Sequence, residues 1–368
     1  MTTHAPFAPS GLATIVACPG AFKMRKLYPE DEDSPSAMEG TAAHWVASEM
    51  LLGRTHAVGE LAPNGVAVTE EMQDGAEMYA DALAPYLDGG KIETQVSCAG
   101  IHPNCYGTPD FSRLKPNTLV IADYKFGHRH VEVFENWQEI AYANGEMFYW
   151  HGEGELEVIF LIIQPRSYHR DGPVREWRTT ASELEVYWDK LRAACVAAEQ
   201  PDAPCVPSIH CQDCSANHAC EALQRAGYAA LDIAGQSAPL ELTPEATGLE
   251  LRIIEWGIER LKARQSGLAE QAQAMLRSGT AVPGYALEAG AGCERWAKPV
   301  EEVVALGRMM EIDISKPGAL TPKQAIKAGL PAEIVRAYSE TPVGEVKLVR
   351  SNEKQLRKVF SINVSKEK

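Results

Sequence analysis

The sequence predicts an α/β fold in which helices flank a central mixed β-sheet. Three strand-like segments, at residues 91–99, 106–114 and 118–125, follow one another after a helical stretch. A helical pattern at 134–149 and an apolar strand at 156–164 come next. The order helix, three strands, helix, strand is typical of an α/β core with a mixed sheet.

The helices that precede the sheet have recognisable ends. Ser10 is a good capping residue for a short helix at 11–17, which a Pro-Gly pair then stops. A second helix is predicted at 42–52 and ends at a glycine. A third, at 68–87, has its apolar residues at helical spacing.

The strands are predicted from alternation and turn chemistry. In residues 91–99, Ile92, Thr94 and Val96 alternate with polar residues, which is typical of a half-buried strand. A Lys-Pro-Asn turn at 115–117 separates the next two strands. Two elements complete the predicted core: a strand at 175–179 and a helix at 181–199.

The chain divides by composition into a large first domain and a smaller last region. Residues 1–230 are predicted to form one domain, and 231–243 a linker. Residues 244–368 are predicted to be mainly helical, beginning with a hydroxyl cap and a proline at Thr243 and Pro244. No role is assigned to this last region, although residues 347–368 are locally basic.

Composition limits the classes of protein that the chain can represent. With 368 residues, 45% hydrophobic and 23% charged, it has the composition of a soluble globular protein. No secretory leader or long apolar run is apparent, so we expect a cytoplasmic protein without membrane contacts. The net charge of −15 lowers the expectation of a nucleic-acid partner without excluding one, because affinity for DNA depends on local basic clusters.

Two carboxylates and a lysine form the candidate catalytic centre. Asp110 begins one predicted strand, and Asp123 and Lys125 end the next. Side chains alternate along a strand, so Asp123 and Lys125 point to the same face, where a hairpin would also bring Asp110. Such a group suits Mg²⁺ or Mn²⁺, with the Tyr124 carbonyl as a further oxygen. Lys125 would orient or help deprotonate the attacking water and stabilise charge on a phosphate.

An isolated Asp-X-Lys triplet is more often a pair of surface charges than a site. Here an apolar strand precedes it and Gly-Thr-Pro-Asp110 lies thirteen residues upstream. With these features the sequence resembles the PD-(D/E)XK nucleases, in particular the RecB and AddB nuclease domains and the CRISPR-associated RecB-like exonucleases. Its layout is also similar to an uncharacterised phage and prophage family of this type.

The resemblance covers roughly residues 10–223 and implies roles for further residues. His44 matches the helical histidine that is an additional metal ligand in the RecB-like group. Gln138 and Tyr142 match a Gln-X-X-X-Tyr motif that orients the substrate and the catalytic residues. Without the resemblance, a surface histidine and an ordinary amphipathic helix would explain these positions equally well. Glu93, on a preceding strand, is expected to be a solvated acid rather than a metal ligand.

The cysteines suggest a second metal centre. The spacing Cys211-X2-Cys214-X5-Cys220 is similar to that of the iron–sulfur members of this nuclease group. In that group the fourth ligand lies far upstream, where this chain has Cys18. The resemblance therefore implies a [4Fe–4S] cluster that joins both ends of the nuclease domain. Zinc is the alternative, since Cys205 and His210 (also in this region) could complete its shell without Cys18.

The resemblance implies hydrolysis of DNA phosphodiester bonds. It favours an exonuclease over an endonuclease. Arg129, Arg166 and Arg170 are candidate phosphate contacts, although a solvated pair of strands would have the same composition. Expected partners are DNA ends or single strands, and phage or host replication or recombination proteins. Two alternatives stay open: a catalytically silent DNA-binding or recombination-partner module on the same fold, and a zinc-stabilised interaction protein.

Overall fold

A five-stranded mixed β-sheet organises the chain in a computed structural model that describes residues 5–29, 35–234 and 242–285. The strand order is β1-β4-β5-β6-β7, and β2 and β3 form a separate two-stranded sheet. The strands are β1 (Lys91–Ile92), β2 (Val96–Ser97), β3 (Tyr106–Gly107), β4 (Phe111–Lys115), β5 (Thr118–Tyr124), β6 (Glu157–Ile163) and β7 (Val174–Thr180).

Strand β5 lies at the centre of the large sheet. It pairs antiparallel with β4 in a hairpin and parallel with β6, which in turn pairs antiparallel with β7. A parallel neighbour requires a crossover connection, which helix α5 (Trp137–Met147) supplies between β5 and β6. The predicted α/β fold with a mixed sheet flanked by helices is therefore confirmed.

Eight α-helices lie within the described residues. They are α1 (Leu12–Ala17), α2 (Ala21–Leu27), α3 (Pro35–Leu51), α4 (Glu70–Leu83), α5, α6 (Ala181–Ala198), α7 (Glu221–Ala234) and α8 (Pro244–Arg277). Short 3-10 turns occur at Pro9–Gly11, Ala84–Tyr86 and Ile209–Asp213. In this part of the chain, no helix has the length and apolarity needed to cross a membrane.

Each face of the sheet is covered by its own hydrophobic core. On one face, Val120, Ala122 and Tyr124 of β5 pack with residues of α3 and α4. On the other, Leu119 and Ile121 pack with residues of α5 and α6. This alternation follows from the pleat of β5 and explains why the strand is apolar throughout its length.

One predicted strand is divided in the structure. The segment at 91–99 forms β1 and β2, which belong to different sheets. Glu93, with a φ of 44°, lies where the chain leaves β1. A non-glycine residue rarely adopts this left-handed conformation, and the composition of the segment gave no sign of it. The prediction of a single strand here was wrong. Helices α2 and α7 were not predicted.

Helix α8 extends the described part of the region that was predicted to form a separate C-terminal section. Its N-cap is Thr243, whose hydroxyl accepts a hydrogen bond from Ala246 N, as the sequence suggests. The helix packs against α7 and the turn at Ile209–Asp213, and residues up to Tyr285 belong to one compact unit. The predicted boundaries at 230 and 243 stay a prediction. Most of the linker and residues 286–368, with the basic segment, lie outside the described residues.

Candidate functional site

The candidate catalytic residues meet at the end of β5. Asp110 immediately precedes β4, and extending the β4–β5 register by one pair from Phe111 and Ala122 puts Asp110 opposite Asp123. One oxygen of Asp110 accepts a hydrogen bond of 2.6 Å from Tyr124 N. Its other oxygen lies 3.2 Å from Nδ1 of His44, on α3. The hairpin thus orients one carboxylate between a backbone amide and an imidazole.

Asp123 is held from the opposite side by α5. It is 3% exposed, and its carboxylate oxygens lie 3.0 and 2.8 Å from Nζ of Lys125. Gln138 Nε2 donates to the same carboxylate at 3.1 Å, and Gln138 Oε1 lies 3.5 Å from Lys125 Nζ. Asn136 caps the start of α5, which fixes the turn that carries Gln138. The structure therefore brings these three predicted residues into one hydrogen-bonded group.

Tyr142, one helical turn beyond Gln138, supports the same hairpin indirectly. Its hydroxyl donates to the carbonyl of Thr108 at 3.1 Å. A Cβ on Gly107 would lie 3.1 Å from that hydroxyl, so the glycine permits the close approach. Because Thr108 is two residues before Asp110, the contact fixes the chain that enters the site. Tyr124 is the last residue of β5, and the role of its carbonyl as a ligand stays a prediction.

Glu93 completes a group of three side chains that could hold a cation. One ligand atom each from His44, Glu93 and Asp110 lies within 4.8 Å of the other two. Glu93 N also donates to the carbonyl of Asp110 at 3.1 Å, which ties the end of β1 to the start of β4. The sequence favoured a solvated acid here, and Glu93 is indeed exposed as a whole residue. Its carboxylate nevertheless lies beside the site.

Burial and charge set the protonation of these groups. Burial and the neighbouring Asp110 raise the pKa of Glu93 to about 7. Burial alone would lower the pKa of His44 and of Lys125, but the adjacent carboxylates raise both. Burial alone would raise the pKa of Asp110, but His44, Lys125 and the hydrogen bond from the Tyr124 amide lower it below its usual value. Burial raises the pKa of Asp123 in spite of Lys125.

A further acid lies next to the candidate catalytic group of Asp123, Lys125 and Gln138. Glu139, next to Gln138 on α5, is completely buried. Burial, followed by the charge of Asp123, raises its pKa well above the usual value, so its neutral form is favoured. No sequence pattern indicates this residue, because an acid beside a polar motif residue at the start of a helix is normally solvent-exposed.

The predicted cluster ligands line one pocket. Cys18 lies just after α1, and the other predicted cysteines lie in and after the turn at Ile209–Asp213. Backbone amides donate to two of the sulfurs: Val206 N to Cys18 at 3.2 Å and Ser208 N to Cys211 at 3.3 Å. The pocket is lined by five cysteines, Cys18, Cys205, Cys211, Cys214 and Cys220, together with His210.

The three arginines predicted to contact DNA have different surroundings. Arg166 is committed to ion pairs with Glu39 and Glu71, each at 2.8 Å, and its side chain is largely buried. Arg129 is exposed but pairs with Asp213 at 2.9 Å. The Arg170 side chain is 85% exposed and lies 3.7 Å from the carboxylate of Asp171. Their roles in binding stay predictions, and Arg166 is the least available to a phosphate.

Two loops beside the catalytic residues carry aromatic rings. His128, in the loop after β5, lies parallel to Tyr168, in the loop after β6, with ring centroids 6.3 Å apart. His130 and His169 stack in the same way at 4.0 Å. The first loop is anchored by buried Gln164, whose side-chain amide donates to the carbonyls of residues 127 and 129. Tyr168 is 83% exposed.

Together these features define a mixed α/β protein with a carboxylate–histidine–lysine site at a strand end and a separate cysteine pocket. The chain belongs to the DUF2800 family, described as proteins of unknown function, whose family model matches residues 4–355. A search of curated proteins gives no match. Among solved structures, one described as the crystal structure of SSO0001 is similar at 14% identity and a TM-score of 0.33. The match covers 57% of this chain and 85% of that one.

Proposed function

We propose that the chain is a metal-dependent DNA nuclease with a PD-(D/E)XK core, which hydrolyses phosphodiester bonds at DNA ends or in single strands. The observation that carries this proposal is the meeting of His44, Asp110, Asp123 and Lys125 at one end of β5. Buried carboxylates and an ammonium are costly to keep together in a fold, and catalytic sites are where such groups are concentrated.

The donor set fits a hard divalent cation. Carboxylate oxygens with one imidazole nitrogen suit Mn²⁺ or Mg²⁺ better than they suit a soft metal. Asp110, Asp123, His44 and Glu93 are the side chains that would hold it. When bound, such a cation supplies Lewis-acid polarisation of a phosphate and a water of lowered pKa.

The protein side chains would then position and stabilise charge. Because neighbouring carboxylates raise its pKa, Lys125 is an ammonium at neutral pH and donates hydrogen bonds rather than accepting a proton. It is therefore suited to orient the attacking water and to stabilise negative charge that develops on the phosphate. Gln138 holds both Asp123 and Lys125, and Tyr142 fixes the chain before Asp110.

The cysteine pocket supports an iron–sulfur cluster over zinc. Zinc bound by four thiolates at about 2.3 Å holds its sulfurs about 3.8 Å apart. Among the described residues, no three of the pocket thiols lie within 4.8 Å of one another. Thiols from two distant parts of the chain surround one pocket, which suits a [4Fe–4S] unit, whose cysteine sulfurs commonly accept backbone amide hydrogen bonds like those to Cys18 and Cys211.

The two aromatic loops support single-stranded or frayed DNA as the substrate. Proteins bind single strands through aromatic rings on which bases stack and through nearby cations that contact the backbone. Tyr168 offers an exposed ring, and Arg129 and Arg170 offer exposed guanidinium groups beside it. The resemblance to phage and prophage nucleases leads us to place this activity in DNA replication or recombination, with phage or host proteins of those processes as partners.

Digestion of labelled DNA tests the proposal. End-labelled single-stranded, double-stranded and circular DNA would be incubated with Mg²⁺, Mn²⁺ or EDTA, with wild-type protein beside Lys125→Ala. We expect metal-dependent degradation of the linear substrates, at least 100-fold slower in the variant because charge stabilisation is lost. Sparing of circular DNA would support an exonuclease.

A matched control keeps the result interpretable. Lys115→Ala removes a half-buried lysine at the far end of the hairpin, where it pairs with Asp88, and should leave digestion unchanged. If folded, metal-loaded wild-type protein binds DNA but cuts none of the substrates, the chain is instead a silent DNA-binding module. If it neither binds nor cuts DNA, the nuclease assignment fails altogether.

A further inference from the structure

The cysteine pocket contains one more thiol than a four-coordinate cluster requires. The resemblance assigns Cys18, Cys211, Cys214 and Cys220, but Cys205 lines the same pocket and is only partly exposed. In the described residues none of these cysteines forms a disulfide. The fifth thiol therefore lies, in reduced form, where a ligand would lie.

Cys205 is held against the segment that carries Cys18. Gly20 N donates to the carbonyl of Pro204 at 2.9 Å, and Val206 N donates to the sulfur of Cys18. A Cβ on Gly20 would lie 2.7 Å from the Cys205 sulfur, so glycine is needed for this close approach. The two segments are thus connected on both sides of Cys205.

The Cys205 thiol also interacts directly with its neighbours. Its sulfur lies within hydrogen-bonding reach of the thiols of Cys220 and Cys18. Two thiols in contact are too close to bind different irons of one cluster, but they are well placed to bind the same iron in turn. Each iron of such a cluster takes one cysteine, so Cys205 would compete with one of these two neighbours. Its packing against Gly20 and the hydrogen bond from Val206 N to the Cys18 sulfur join it to the Cys18 segment, so Cys18 is the ligand with which it competes.

We propose that Cys205 is a reserve ligand that replaces Cys18 in the metal centre when Cys18 is lost or displaced. The proposal rests on the proposed cluster in this pocket and does not depend on nuclease activity. A chain with such a reserve could exchange one ligand without releasing its metal.

Metal content gives the first test. Iron, sulfide and zinc would be measured after anaerobic purification of wild type, Cys18→Ser, Cys205→Ser, the double variant and Cys214→Ser. We expect both single variants at Cys18 and Cys205 to retain more than half of the wild-type metal. The double variant should lose it as completely as Cys214→Ser does. Loss from Cys18→Ser alone would overturn the proposal, as would retention by the double variant, which would indicate His210 as the substitute.

Thiol footprinting gives a second test that does not require the double variant to fold. Metal-loaded protein would be treated with iodoacetamide and its modified cysteines identified by mass spectrometry. Cys205 should be alkylated in wild type and protected at least fivefold in Cys18→Ser. Equal modification of Cys205 in the two proteins would contradict the exchange. A wild-type protein that binds neither iron nor zinc would also rule it out, whatever its action on DNA.

Discussion

At the scale of single residues, Glu93 shows how backbone conformation adds a candidate ligand that strand alternation does not predict. Its positive φ ends β1 and turns the chain at the point where its amide bonds to the carbonyl of Asp110. The carboxylate then lies with His44 and Asp110, and its pKa rises to about 7. The pKa of His44 is raised as well, so both side chains bind protons that a cation must displace.

This proton competition predicts that cation affinity depends on pH. Since Glu93 is about 10% ionised at pH 6 and 90% at pH 8, Mn²⁺ affinity should rise roughly tenfold across that interval from this residue alone. Release of the His44 proton adds to the increase. The Glu93→Gln variant should bind Mn²⁺ more weakly at pH 8 and show a shallower dependence, measured by calorimetry. An identical pH dependence in the variant would exclude Glu93 from the cation site.

At the scale of elements, the loop after β5 is ordered by a buried side chain. Gln164, at the end of β6, donates to two carbonyls of this loop and accepts a hydrogen bond from Val131 N. Arg175 of β7 donates to the same amide oxygen at 2.7 Å. The ring of His128 therefore lies on a fixed backbone, so the stacking of a base on it, as proposed for single-stranded DNA, would cost little entropy.

Tyr168 should contribute to binding of single strands. Removal of one stacking ring costs about 1–3 kcal/mol, so Tyr168→Ala should raise the Kd for a single-stranded oligonucleotide about 5–150-fold. Duplex DNA, whose bases are already stacked, should be affected much less. Fluorescence anisotropy of labelled oligonucleotides with catalytically inactive protein would measure both. Tyr149→Ala, an exposed tyrosine beyond the opposite end of α5, is the matched control and should bind as wild type.

Helix α4 depends on a glycine for its close packing against β5. A Cβ on Gly75 would overlap the Tyr124 hydroxyl and lie 3.1 Å from Pro165. We expect Gly75→Ala to lower the free energy of unfolding by about 1–3 kcal/mol. Gly40→Ala, on α3 with open space around it, should stabilise by about 0.5–1 kcal/mol. Urea unfolding of both variants would measure these changes in the free energy of unfolding. An unchanged free energy of unfolding in Gly75→Ala would mean that α4 can move away from β5.

The same elements show which features could be predicted from the sequence. Alternation along β5 placed Asp123 and Lys125 on one face, because a regular strand has a fixed period. Glu93 was not assigned to the site, because its direction depends on a left-handed residue rather than on a repeat. Cys205 lies outside the cysteine spacing of the motif. Gln164 supports the loop after β5 through contacts with its backbone, which no local sequence pattern predicts. Long-range contacts of this kind become visible only in the folded chain.

At the scale of the whole molecule, the end of the described chain packs on the cysteine pocket. Arg264 of α8 donates to the carbonyls of Asn217 and His218, and Arg260 to that of Pro207. At Gly267 a Cβ would overlap the Asn217 side chain and lie 2.8 Å from His218 N. The helix therefore covers the loop that carries three of the predicted cluster ligands.

This contact predicts that α8 protects the proposed metal centre. Gly267→Ala should lower the melting temperature and increase the rate at which a chelator removes metal from the cysteine pocket. Gly248→Ala, in the same helix with open space around it, should do neither. Differential scanning fluorimetry and absorbance during chelation would measure the two effects. If both variants lose metal at the wild-type rate, α8 does not cover the pocket in solution.

The proposed pairing of Cys18 with cysteines at 211–220 also constrains how the protein is made. About 190 residues separate the first ligand from the next, and a ribosome adds about 5–20 residues per second. Cys18 therefore leaves the ribosome roughly 10–40 s before its partners exist, and its thiol is open to oxidation or to a wrong metal for that time. The proposed cluster could be delivered only after Cys220 is translated, so cells short of cluster-assembly proteins should accumulate a full-length chain whose Cys18 thiol stays reactive.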